Sequence, residues 1–293
     1  MPVYDQSYRT YQGTLRRRGR WAVIVSQELR VLFSKRMFIF LVLLGNLHVV
    51  MRIFQIFVFD VVSVPGRTES FGSLSEVPLD ETGAWVFLDF LRIQSPLIFL
   101  TLIYAGSGLI CNDFRNNLVE IYFSKPINWR DYVAGKVLSL VTIGMGLTAL
   151  PALLLALLHV MFDPSADAAM KTLGHVIPII AFSLLLVVSF ALVILATSSL
   201  VDSAKFAGAV VFLLTLINIT LGVLMFALLD QEEYLVIAYP VSLNNLGEAL
   251  FQEHRYPNPV NVPWPWSAAY VAVVCSVALF IICRKARRAE TGR

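Results

Sequence analysis

Six apolar runs of about 18 residues recur along the chain, near 37–59, 90–111, 133–161, 176–197, 205–229 and 267–283. A run of that length crosses the hydrocarbon core of a bilayer as an α-helix, in which every backbone N–H and C=O finds a partner inside the segment. This pattern excludes a soluble globular fold. It also excludes an outer-membrane barrel, whose strands alternate in polarity over only about 10 residues. Composition agrees: 15% of the 293 residues are charged, against about 25% in a soluble domain. The expected fold is an all-α polytopic membrane protein with six transmembrane helices.

Charge sets the expected orientation. Of the 23 Lys and Arg, eight lie in residues 1–36, four in 112–136, one in 198–206 and five in 284–293. The segments 60–92, 162–175 and 230–266 carry only Arg67, Arg92, Lys171 and Arg255. The positive-inside rule then places both termini in the cytoplasm of an inner or plasma membrane. Residues 1–36 form a cytoplasmic segment without the apolar core of a signal peptide. Residues 37–283 form the transmembrane domain, and 284–293 a basic tail. Within the first segment, "WAVIVSQELRVLFSKR" puts Trp21, Val25, Leu29 and Leu32 on one face and Gln27, Arg30 and Ser34 on another. It reads as an amphipathic helix lying on the inner leaflet. On the other side, 60–92 and 230–266 are long for simple connections. The second holds "NLGEALF", a short helix, and a Pro-rich run ending in Trp264 and Trp266, which suit the interfacial aromatic belt.

The polar stretch "CNDFRNNLVEIYFSKPINWRDYVAGK", residues 111–136, separates two spans. Phe114, Leu118, Ile121 and Tyr122 recur at helical spacing and predict one apolar face, with Asp113, Arg115, Asn116, Asn117 and Glu120 around it. Pro126 stops that helix. Asn128 is placed as an N-cap with Asp131 at the third helical position, and Ile127 and Tyr132 as a hydrophobic staple. The segment reads as helix, stop and redirected helix: a bent lever on the cytoplasmic face.

These residues resemble the signature between spans two and three of type-2 permease subunits of ATP-binding-cassette (ABC) transporters. The likeness rests on Asp113 after the second span, the amphipathic stretch Phe114 to Phe123, Ser124-Lys125-Pro126-Ile127, Tyr132 and Gly135-Lys136. Trp129 departs from it, standing where a small polar residue is usual. The resemblance implies a permease that dimerises with a second copy or homologue and pairs with two cytoplasmic ABC ATPase subunits, which hold ATP and Mg. It implies export. It also implies a coupling helix made of Asp113, Phe114, Arg115, Asn117, Leu118, Glu120 and Tyr122, with a smaller contact at Asp202 in "SSLVDSAKF". The chain itself has no phosphate-binding G-x-x-x-x-G-K-[ST]: Arg130 stands where the first Gly is needed, and Val137 follows Lys136. The ATPase is therefore expected on another polypeptide.

Polar residues inside spans are costly and need a partner, water or a cargo. In span one, Gly45, His48, Arg52 and Gln55 form a stripe. It either lines a polar pathway or leaves Arg52 to pair with an acid, for which Asp89 is the candidate. Thr101 and Tyr104 in span two, and Thr215 and Asn218 in span five, are further pathway candidates; small and hydroxyl residues also serve helix packing. The four His do not converge and the three Cys form no motif, so no metal or other cofactor is expected in this chain, and no nucleic acid as partner. Two other readings stand against transport powered in trans: a non-transporting anchor of a larger membrane complex, and an ion-driven carrier. The latter lacks mid-span carboxylates.

Overall fold

The computed structural model describes residues 19–62, 84–124, 127–162, 166–252 and 262–291. Among these residues all regular structure is helical, and six helices are long and apolar enough to cross a membrane. A short helix α1 (Arg20–Phe33) precedes span one, α2 (Arg36–Val62). Span two is α3 (Ala84–Gly106), continued through a turn into α4 (Cys111–Arg115). After α5 (Leu118–Phe123), span three is built from α6 (Trp129–Leu147) and α7 (Ala149–Phe162). A small helix α8 (Ala166–Gly174) leads to span four, α9 (Val176–Leu200), and span five, α10 (Ala204–Leu229). A 3-10 turn (Glu232–Ile237) and α11 (Tyr239–Phe251) come before span six, α12 (Trp264–Glu290).

Span four is the axis of the bundle. In its most apolar stretch 67% is buried, against 11% for α10. Its serines and alanines let neighbours approach closely, as small residues do between membrane helices. Span three breaks at Thr148, and Pro151 explains why: it lacks the N–H that would bond the Leu147 carbonyl. The Thr148 hydroxyl donates back to the Gly144 carbonyl at 2.9 Å.

Residues 230–252 run back into the bundle instead of staying outside it, where charge counting places them. Asp230 takes a left-handed conformation (φ 50°) and turns the chain back on itself. Ala238 then lies against Gly222 of α10: a Cβ on Gly222 would sit 2.8 Å from the Ala238 Cβ and 2.9 Å from its N. Gly222 and Asn218 lie well inside α10, with Asn218 roughly 16 Å before the helix end at 1.5 Å per residue. The chain descends to that depth and climbs out as α11, which packs against α3, α9, α10 and α12. Backbone groups at such a depth need protein partners. Asn218 provides one, since its Oδ1 accepts the Tyr239 N–H at 2.7 Å. Its Nδ2 donates to the Tyr270 hydroxyl at 2.9 Å. Asn245 ties α11 to α12 through Ser267 Oγ at 2.9 Å and the Val262 carbonyl at 3.1 Å.

Candidate functional site

The bend between spans two and three sits at the end of the bundle that also holds α1 and the last turns of α12. It is two short helices rather than one. The chain leaves α4 at Asn116, and Asn117 takes a left-handed conformation (φ 54°) that Asn tolerates better than most residues. That break resets the helical register, so the apolar face expected from the sequence is divided. Phe114, Tyr122 and Phe123 pack on the core and Val119 is buried, whereas Leu118 (37% exposed) and Ile121 (56%) point outward. Arg115, Asn117 and Glu120 are exposed beside them. Pro126, the expected stop, lies outside the described residues. Asn128 does occupy the N-cap of α6, in extended conformation, but its side chain makes no capping bond.

Asp113 corrects the sequence picture most. It is buried rather than part of a solvated face. The Lys136 Nζ donates to it at 2.6 Å and to Glu28 Oε1 at 2.5 Å. The Tyr132 hydroxyl donates to the same Asp113 oxygen at 2.8 Å. The Lys136 ammonium also lies 5.7 Å and 5.5 Å from the ring centres of Tyr122 and Tyr132, within cation–π range. Burial raises the Tyr122 phenol above its ordinary pKa, so the ring stays neutral beside the ammonium. One cation therefore joins three elements: α1 through Glu28, the bend through Asp113, and span three through its own backbone.

The Gly135-Lys136 pair acquires a physical reason. A Cβ at Gly135 would lie 2.8 Å from the Cβ of Ile24, so glycine is what lets α1 lie close enough for Glu28 to reach Lys136. The face of α1 turned to the protein is Ile24, Glu28 and Leu32. Trp21, expected on the apolar face, is 41% exposed.

A second stitch holds the start of the bend. The Ser198 hydroxyl on α9 donates to the Ser107 carbonyl at 2.7 Å and accepts from the N–H groups of Ile110 and Cys111 at 3.3 Å and 3.2 Å. The two N–H groups have no helical partner where α3 ends, and the Ser107 carbonyl also accepts from Cys111 Sγ at 3.2 Å. Ser198→Ala should cost about 1–3 kcal/mol, because it strands buried polar groups. Faster hydrogen exchange across 107–113 would register the loss; unchanged exchange would show that the turn holds without the serine. Asp202 is exposed in the following turn. Ala204, two residues on, lies against Gly108, so Asp202 shares this end of the bundle.

The pathway candidates are not gathered around one space. On α2, Arg52 is ion-paired with Asp89 of α3, the partner expected. His48 stacks on Phe90 with ring centres 5.2 Å apart, and its Nδ1 is hydrogen-bonded to Gln94 Oε1 at 2.8 Å. Gln94 Nε2 donates to the Gly45 carbonyl at 2.9 Å. The stripe thus zips spans one and two together; the Gln55 side chain lies outside the described residues. Thr101 and Thr215 donate to carbonyls of their own helices, Leu97 at 2.8 Å and Val211 at 2.9 Å. Tyr104 is 36% exposed. Asn218 supports the re-entrant turn.

Compared with known proteins, residues 22–281 match the family described as ABC-2 family transporter protein. No curated protein gives a significant match.

Proposed function

Because the chain belongs to the ABC-2 transporter family and is its membrane-spanning permease component, we propose that it forms the translocation pathway of an exporter, as a dimer with a second copy or homologue. Two separate ABC ATPase subunits, holding ATP and Mg, would drive it. The basic end of the bundle faces the cytoplasm of an inner or plasma membrane, with residues 1–36 and the tail after 283 on that side.

The observation that carries this reading is the construction of the bend. Its inner side is bolted to α1 and α6 through Lys136, while its outer side presents Leu118 and Ile121 flanked by Arg115 and Glu120. An exposed apolar pair rimmed by charges suits a protein groove. A push received there passes to span two through α4, to span three through Lys136, and to α1 through Glu28. In this division of labour Asp113, Phe114 and Tyr122 hold the lever, and Arg115, Asn117, Leu118, Glu120 and Asp202 meet the ATPase.

The test separates the two sides. The double variant Glu120→Lys with Ile121→Asp should fold with the wild-type melting temperature, because neither side chain is buried. It should lose ATPase association about tenfold or more, the scale of an interface hot spot. Normal co-purification and normal ATP turnover of this variant would overturn the docking assignment.

A further inference from the structure

Two groups of helices meet at the end of the bundle opposite the bend. In one, α2 and the first part of α3 are tied by Arg52–Asp89, Gln94–Gly45 and Gln94–His48. In the other, α10, α11 and α12 are tied by Asn218–Tyr239, Asn218–Tyr270 and Asn245–Ser267. The groups touch where Gly247 of α11 faces the Leu88 side chain of α3: a Cβ on Gly247 would lie 2.8 Å from Leu88 Cδ1. The next residue of α11, Glu248, is buried, and its Oε1 accepts from Arg92 Nη1 at 3.2 Å.

The helix that carries Arg92 is weakened just beyond it. Pro96 cannot donate to the Arg92 carbonyl, and the Ser95 hydroxyl supplies that bond instead at 2.9 Å. Proline is the usual site of helix bending. The segment of α3 bearing Asp89, Arg92 and Gln94 is thus joined to the rest of span two by a softened turn. Polar bonds tie it to α2, Arg92–Glu248 ties it to α11, and its apolar side packs on α9.

We propose that the seam between α3 and the re-entrant helix α11 is a gate at the far end of the bundle, and that Arg92–Glu248 is its latch. Opening it swings the segment above Pro96, with α2, away from α11. Of the polar ties described above, only Arg92–Glu248 crosses the seam. While the latch is closed, Glu248 has a cation beside it and Leu88 stays out of water. Arg92 and Glu248 are positioning residues here. The latch itself does not depend on the transport reading; its opening during a cycle does.

Leu88→Cys, in a background with Cys111, Cys275 and Cys283 replaced by alanine, reports the seam through labelling by a membrane-impermeant maleimide in proteoliposomes. We expect slow labelling with the latch intact. Arg92→Gln or Glu248→Gln should speed it about tenfold or more, the scale of a lost charge-assisted hydrogen bond. The exchanged pair Arg92→Glu with Glu248→Arg should return it toward the slow rate. That recovery separates a latch from general loosening of the fold. Single variants that label at the starting rate, or an exchanged pair that labels like the singles, overturn the latch. In the transporter assembled with its ATPase, trapping with ATP and vanadate should change Leu88→Cys labelling severalfold; equal labelling in the trapped and ATP-free states overturns the gate. Failure to assemble with any ABC ATPase counts against the proposed function and leaves the labelling result on the latch standing.

Discussion

Lys136→Met is expected to destabilise the chain by about 3–5 kcal/mol, the cost of removing one member of a buried ion pair. Methionine nearly preserves the volume, so the loss is electrostatic. Asp113 and Glu28 both touch the same nitrogen, at 2.6 Å and 2.5 Å, so their oxygens lie within about 5 Å of each other. Without the ammonium they repel in a site where Asp113 is buried and Glu28 nearly so, and they separate only if α1 or the bend swings outward. A fall in melting temperature on the order of 10 °C should follow in detergent. Adding Asp113→Asn and Glu28→Gln to Lys136→Met removes the repulsion and should recover part of the loss; the two amides remain polar in a buried site, so recovery is incomplete. The two results together test the network. A Lys136→Met chain that melts like wild type would show that Lys136 does not hold the bend, and so would a triple variant no better than the single one.

Much of this arrangement was legible in the sequence, and what was not has identifiable causes. The six spans followed from length and apolarity alone. The pairing of Arg52 with Asp89 followed from the cost of a lone charge in a span, because the acid had to come from a neighbouring helix. Short helices lie where the bend was expected, yet their inner and outer sides differ from the expectation, because helical spacing assumes one continuous helix. The left-handed Asn117 breaks that assumption. Glu28 carried a signal that went unread: a single acid between Ile24 and Leu32 at four-residue spacing, on the face that α1 turns to the protein. Lys136 carried another, four residues after Tyr132 in an otherwise apolar stretch. The re-entrant segment was missed for a different reason. Residues 234–247 hold no charge at all, but at 14 residues they are too short to span, and counting basic residues assigns such a run to whichever side flanks it. Only tertiary contacts, such as that of Ala238 with Gly222, reveal that it enters the bundle.

Gly222→Val is expected to dislodge the re-entrant segment, and the geometry says why a smaller change will not relieve it. A Cβ at residue 222 meets three atoms of Ala238: its Cβ at 2.8 Å, its N at 2.9 Å and its Cα at 3.2 Å. A side-chain neighbour could rotate away, but backbone atoms move only with the whole turn. That turn is held by Asn218 through the Tyr239 N–H, one helical turn from Gly222 on the same face of α10. Moving it strands the Asn218 carbonyl oxygen and the Tyr239 N–H deep in the bundle, where no water replaces them. Overpacking of this kind costs about 1–3 kcal/mol, and an unsatisfied buried pair adds a similar amount. Gly222→Ala should show the first cost and Gly222→Val both. Ala238→Gly should rescue Gly222→Ala only in part, because it removes the contact at 2.8 Å and leaves the backbone nitrogen in place. Hydrogen exchange across 234–251 should rise in the same order, while exchange in α6, at the other end of the molecule, stays unchanged. Full rescue by Ala238→Gly would mean that side-chain crowding alone fixes this contact. Unchanged exchange in Gly222→Val would mean that the segment does not rest against α10 at all.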